Sequence, residues 1–206
     1  MTMDRPTTRP PQWAEALLRL LLKPEDRESV SGDLLEEYCQ SAVPERGKGA
    51  DAWYVRQVGW FVLRACWLPG VFIGSALVGR YLFDTLVPTR DFAQRSRIMS
   101  WAIIAVCLLG AFRTSLRTRS IRAGLLTSIL SGALGGVISI LGGLVMAAVR
   151  PGILDEWRHT GGVDEVFLVV PLIMVWVGVV MGTIGSLAGK VVAWPLARIR
   201  RSSFVR

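Results

Sequence analysis

Two long stretches without a charged residue constrain this chain more than any other feature. They cover residues 123–149 and 166–189, which are 27 and 24 residues long. A helix needs roughly 20 apolar residues to cross the hydrocarbon core of a bilayer, and the helices of soluble proteins are rarely apolar on every face over such a length. The sequence therefore predicts an all-α, polytopic membrane protein with spans at both places.

Two further spans are predicted upstream, where charged residues lie closer together. The second span is predicted over 98–116, but only residues 98–112 of it are uncharged. This uncharged part is short, but flanking arginines extend such a helix because their side chains reach the headgroups. The first span, 63–83, has Arg64 and Arg80 near opposite interfaces and Pro69 within it. Its boundaries are the least defined of the four.

Basic residues are distributed unevenly between the two sides of the predicted membrane. Residues 113–122 hold four arginines and the tail, 190–206, holds five basic residues, with no acidic residue in either. The opposite loops, 80–97 and 150–165, together hold six basic and six acidic residues. Because cytoplasmic loops carry the excess of lysine and arginine, both termini are predicted to be cytoplasmic. We expect the tail to meet membrane lipid rather than nucleic acid, since it directly follows a span.

The residues before the first span predict a small helical domain over 13–62, preceded by a loose leader, 1–12. Helical periodicity begins at Trp13, and a second helix starts near Pro24. Gly32 and Asp33 are expected to interrupt that helix. A turn is expected at Pro44 and residues 47–49, followed by a third helix over 52–60. The predicted core consists of Leu17, Leu18, Leu21, Leu34, Leu35 and Tyr38.

Four sequence motifs in this domain resemble one family. They are Pro10-Pro11 through Trp13-Ala-Glu-Ala-Leu-Leu-Arg, Pro24-Glu-Asp-Arg-Glu, Gly32-Asp-Leu-Leu-Glu-Glu-Tyr38 and Trp53-Tyr-Val-Arg-Gln-Val58. Together they resemble the permease prefix domain of the acidobacterial duplicated orphan permeases, which are relatives of the macrolide-exporter-type ABC permeases. The resemblance covers about residues 10–65 and implies a bacterial inner (plasma) membrane protein. The large extracytoplasmic domain of those permeases has no counterpart here, so transport itself is not implied.

Three groups of residues are candidate sites. Asp33, Glu36, Glu37 and Tyr38 form either a solvated face or a docking surface for a basic partner. Arg113, Arg117, Arg119 and Arg122 bind lipid headgroups or only fix the topology. Small residues four apart allow close helix packing, or reflect the ordinary glycine content of membrane helices; those singled out are Gly70, Gly74, Gly132, Gly136, Gly143, Gly178 and Gly182.

No motif predicts catalysis, a cofactor or a metal site. His159 is the single histidine, and the middles of the last two spans contain no acidic or basic residue, although ion-coupled carriers usually place such groups there. The leading hypothesis is a non-enzymatic accessory or regulatory subunit that binds a permease or copies of itself. The alternative is a small transporter or channel formed by oligomerisation through the glycine faces.

The predicted topology is tested with reporter fusions. Fusions after Arg206 and within residues 115–120 should report the cytoplasm, and fusions near residues 90 and 157 should report the outside. An external carboxyl terminus would contradict the count of four spans.

Overall fold

The computed structural model describes residues 9–41, 47–86, 92–150 and 152–202, and these ranges are almost entirely helical, with no strand in them. Residues 1–8 of the predicted leader, Pro44 of the predicted turn and the last four residues of the tail lie outside the described residues. The helices, in chain order, are α1 Gln12–Leu21, α2 Arg27–Ser41, α3 Gly47–Leu86, α4 Phe92–Thr118, α5 Ile121–Val149, α6 Ile153–Thr160, α7 Gly162–Asp164 and α8 Val170–Ser202, with a π-helical turn at Glu165–Val169. The chain divides into two compact units, Met1–Ala65 and Cys66–Arg206.

The amino-terminal unit has its own core, to which α1, α2 and the first part of α3 contribute. α1 ends at Leu21, and the backbone of Leu22 is extended. Pro24 follows two residues later, and a proline disfavours the helical conformation at the residue before it, here Lys23. The rings of Tyr38 and Tyr54 pack edge to face, with centroids 5.7 Å apart. The buried members of the core are Ala14, Leu18, Leu34, Tyr38, Ala50, Tyr54 and Val58.

Three details predicted for this unit are wrong. Gly32 and Asp33 do not interrupt α2; glycine costs a helix only about 1 kcal/mol, and burial of Leu34 and Tyr38 on the inner side of α2 offsets it. Leu35 is 42% exposed rather than in the core, because it lies about 100° around the helix from Leu34. The expected turn at residues 47–49 is instead the first turn of α3.

The described residues contain four candidate membrane-spanning helices, the number that the sequence predicts. Each is long and apolar enough to cross a membrane: Gly49–Leu86, Ser96–Thr118, Ile121–Val149 and Gly162–Trp194. Large apolar side chains are exposed on the surface of these helices, among them Trp101 at 65%, Leu141 at 55% and Trp176 at 66%. Such a surface suits lipid, whose tails are as apolar as leucine. The chain has the architecture of a multi-pass helical membrane protein.

Close approach of helix backbones holds the second unit together. A Cβ added to Gly178 of α8 would lie 2.8 Å from the carbonyl oxygen of Ser128 in α5, and one added to Gly132 of α5 would meet the carbonyl oxygen of Met174 in α8. Gly189 approaches the carbonyl oxygen of Phe112 in α4 in the same way. Real side chains do not fit at such distances, so glycine is required at these three contacts.

The other predicted packing glycines lie at similar contacts. Gly70 and Gly74 of α3 meet the side chains of Leu134 and Ile138 in α5, and Gly182 of α8 meets Ser128. Gly136 and Gly143 of α5 meet Pro171 and Val166. All seven glycines are buried, so the structure places each of them between helices of one chain.

Buried hydroxyl groups add hydrogen bonds between the same helices. Ser115 of α4 donates to the carbonyl oxygen of Ser186 in α8 at 2.7 Å, and Ser139 of α5 donates to the hydroxyl oxygen of Tyr81 in α3 at 3.2 Å. Measured bonds of this kind within membranes average about 0.6 kcal/mol. They supplement the packing rather than replace it.

A glycine substitution tests whether close helix packing requires a glycine, or whether the glycine only reflects the ordinary glycine content of membrane helices. Gly178→Leu should destabilise the protein by about 1–3 kcal/mol, because the new side chain would overlap the backbone of α5 at Ser128. Gly79→Leu is the matched control, since Gly79 of α3 has no neighbouring atom within 4 Å of an added Cβ. Thermal unfolding in a mild detergent is the measurement. Equal melting temperatures for the two variants would show that close contact at Gly178 does not matter.

Candidate functional site

The exposed side of α2 carries four carboxylates, Glu28, Asp33, Glu36 and Glu37, which we call the acidic face. Residues three and four apart are neighbours on a helix surface, so the last three of these carboxylates lie close together. No basic residue follows Arg27 in α2. The acidic face is therefore a negatively charged patch that solvent reaches.

Tyr38, predicted as part of the docking surface, lies instead in the core at 3% exposure. Its hydroxyl donates to Oδ1 of Asp51 at 2.7 Å, which joins α2 to the first turns of α3. Burial, followed by this hydrogen bond to Asp51, raises the pKa of Tyr38 to about 12. Tyr38 thus positions the acidic face and is itself closed to a partner.

The four predicted lipid-binding arginines are all exposed, but they do not occupy the loop that the sequence suggested. α4 continues to Thr118 and α5 begins at Ile121, so the connection is two residues long. Arg119 occupies the left-handed region with φ of 55°, and the side chain of Ser120 caps α5 by accepting from the backbone N–H of Ala123. The arginines therefore surround a tight turn at one end of the bundle.

A cavity of about 380 Å³ lies at the opposite end of α5. Its lining includes Tyr81, Ile153 and Val166, which belong to one buried cluster, and Trp157, which packs against that cluster. Charged side chains of both signs also line the cavity: Arg80, Asp84, Arg150, Glu156 and Glu165.

The charged groups of this cavity pair with one another. Arg80 lies 3.5 Å from Oδ2 of Asp84 and 3.2 Å from Oε1 of Glu165, and its side chain is only 18% exposed. Arg150 lies 3.8 Å from Oε2 of Glu156, with both side chains more than half exposed, where such a pair contributes little. The Arg80–Glu165 pair ties the end of α3 to the π-helical turn that precedes α8.

The interior of the bundle contains small and hydroxylated residues rather than charges. Within the described part of the chain, the buried polar residues of this unit are Ser115, Thr118, Thr127, Ser128, Ser131, Ser139 and Ser186. The hydroxyls of Thr127 and Ser131 each donate to a backbone carbonyl one turn earlier in α5. No buried aspartate, glutamate, lysine, arginine or histidine occurs among the described residues. No group of three potential metal ligands occurs there either.

Sequence reasoning missed the residues of the cavity and one member of the acidic face. Arg80 and Asp84 are four residues apart on α3 and could have been paired from spacing alone. Glu165 is 85 positions from Arg80, and no local pattern predicts that contact. Glu28 was assigned to the amino end of α2, and it lies five to nine residues before the later carboxylates, so spacing alone does not place it beside them.

Comparisons with protein-family models, curated proteins and solved structures found no match to this chain.

Proposed function

We propose that this chain is a non-enzymatic accessory or regulatory subunit of a permease-type complex in a bacterial inner membrane. Both termini are cytoplasmic, and the amino-terminal unit docks a basic surface of the partner through the acidic face. The observation that carries this proposal is the placement of four carboxylates on the exposed side of one folded helix, which has no basic residue after Arg27. Opposite charge speeds association and selects the partner.

The construction of the amino-terminal unit supports a binding role. Tyr38 and Leu34 of α2 are buried, and the Tyr38–Asp51 hydrogen bond fixes α2 against α3. A helix held in this way presents its charges without an ordering cost at the moment of binding. The resemblance of residues 10–65 to a permease prefix domain supports a permease as the partner.

The transporter or channel alternative draws less support from the geometry. It required the glycine faces to join separate copies of the chain, but the glycines in question are buried against helices of the same chain. The described interior also lacks the acidic and basic groups that ion-coupled carriers use. Flux through purified protein reconstituted in vesicles would restore this alternative.

Charge reversal tests the docking proposal. Glu37→Lys should weaken co-purification of the partner from the native membrane, and Glu36→Lys with Glu37→Lys should weaken it further. Glu25→Lys is the matched control, because Glu25 is also exposed but precedes α2. Capture is measured in mild detergent at increasing ionic strength, since salt screens exposed charges beyond about 8–10 Å. Capture of the partner by the parent should fall as the salt concentration rises. Capture by the double variant should fall less, because it has fewer charges for salt to screen.

Equal capture by the parent and the double variant at every salt concentration would contradict the docking proposal. So would equal losses from Glu25→Lys and Glu37→Lys, because the effect would then follow net charge rather than the acidic face. Deletion of residues 1–50, which removes α1 and α2, should leave membrane insertion intact and abolish capture.

A further inference from the structure

A second concave surface lies at the end of the bundle that carries the tight turn between α4 and α5. This groove has a volume of about 410 Å³ and is lined by Arg119, Leu187, Lys190, Val191, Ala193 and Trp194. All of the lining residues except Arg119 belong to α8. Leu187, Val191 and Trp194 are 49%, 69% and 68% exposed, so the groove opens on the surface of the bundle that faces lipid.

The charged residues of the described lining are both cations. Arg119 and Lys190 are exposed, and neither forms an ion pair with a described acidic residue. This contrasts with the cavity at the other end of α5, where each arginine has a carboxylate partner. The positive charges of Arg119 and Lys190 are therefore available to bind an anionic ligand.

Local backbone geometry sets the position of Arg119. The residue has a positive φ of 55°, a conformation that is unfavourable for a non-glycine residue. Its neighbours maintain it, because Thr118 is buried and donates to the carbonyl oxygen of Thr114 at 2.9 Å while Ser120 caps α5. The turn thus holds Arg119 beside α8, at the level where two spans end.

Lys190 and Trp194 lie at a comparable depth. The uncharged stretch of α8 ends just before Lys190, and Trp194 follows Lys190 by one helical turn. Tryptophan is enriched at the headgroup level of membranes, where its ring is partly apolar and its N–H polar. The groove therefore meets acyl chains along Leu187 and Val191 and headgroups near Arg119 and Lys190.

We propose that this groove binds an anionic phospholipid, with its phosphate between Arg119 and Lys190 and an acyl chain along Leu187 and Val191. Arginine and lysine are the usual phosphate-binding side chains. Two cations with no carboxylate partner among the described residues disfavour the additional ammonium group of a zwitterionic headgroup, so a lipid with net negative charge fits best. The proposal does not depend on the docking function of the amino-terminal unit.

Native mass spectrometry of the full chain in mild detergent tests this proposal. Phosphatidylglycerol and phosphatidylethanolamine with identical acyl chains are added in turn, and inorganic phosphate is added in a third arm. We expect the parent to retain phosphatidylglycerol in preference to phosphatidylethanolamine. The double variant Arg119→Gln with Lys190→Gln should lose at least about tenfold in apparent affinity, from the attraction of two cations.

Two further variants make the result specific to the groove. Arg56→Gln with Arg64→Gln removes the same charge from exposed residues of α3 that do not line the groove, and it should bind lipid as the parent does. Val191→Trp fills the groove without changing charge, and it should lose the lipid although Arg119 and Lys190 remain. Equal losses from both double variants, no preference between the two lipids, or full binding by Val191→Trp would each overturn the proposal. Binding of inorganic phosphate as tight as that of phosphatidylglycerol would also overturn it, because the apolar groove would then contribute nothing.

Discussion

The contact between the backbones of α5 and α8 is the constraint on which the membrane-embedded unit depends. Lipid tails are as apolar as the side chains of the spans, so the hydrophobic effect does not drive these helices together. Their association instead requires short interatomic distances, which glycine permits at Gly132 and Gly178 against the facing carbonyl groups of Met174 and Ser128. Hydrogen bonds such as Ser115 to Ser186 then use the proximity that the glycines create.

The interior of this packed bundle holds small and hydroxylated residues, and the clusters of charged side chains lie near the ends of its helices. Two groups of charged residues stand out in the described part of the second unit, the paired cavity around Arg80 and Glu165 and the basic turn around Arg119. The amino-terminal unit follows a different principle, because its core is aromatic and aliphatic and its α2 is fixed by the Tyr38–Asp51 hydrogen bond. The bundle presents an apolar surface suited to lipid, and the exposed charges are the surfaces that we propose for partners and headgroups.

The spans could be predicted from sequence because a run of uncharged residues is a local property with a single strong interpretation. The glycine spacing indicated which helix faces pack closely, but not which helix each would meet. Helix propensity alone wrongly predicted a break at Gly32. Burial of Leu34 and Tyr38 keeps α2 continuous across this residue, although glycine disfavours helices. The cavity around Arg80 and the groove around Lys190 join residues distant in sequence, so only the folded chain brings them together.

Paired cysteines test most directly whether the small-residue contacts lie within one chain. After replacement of Cys39, Cys66 and Cys107 by alanine, Gly70→Cys with Leu134→Cys joins α3 to α5, and Ser128→Cys with Gly182→Cys joins α5 to α8. An added Cβ at Gly70 lies 2.9 Å from that of Leu134, and one at Gly182 lies 2.8 Å from that of Ser128, slightly inside the roughly 3.5–4.5 Å of a disulfide. Mild oxidation in native membranes should form both bonds within single chains, which migrate as monomers on a non-reducing gel. Cross-linked dimers at these positions, or two free thiols after oxidation, would contradict this account.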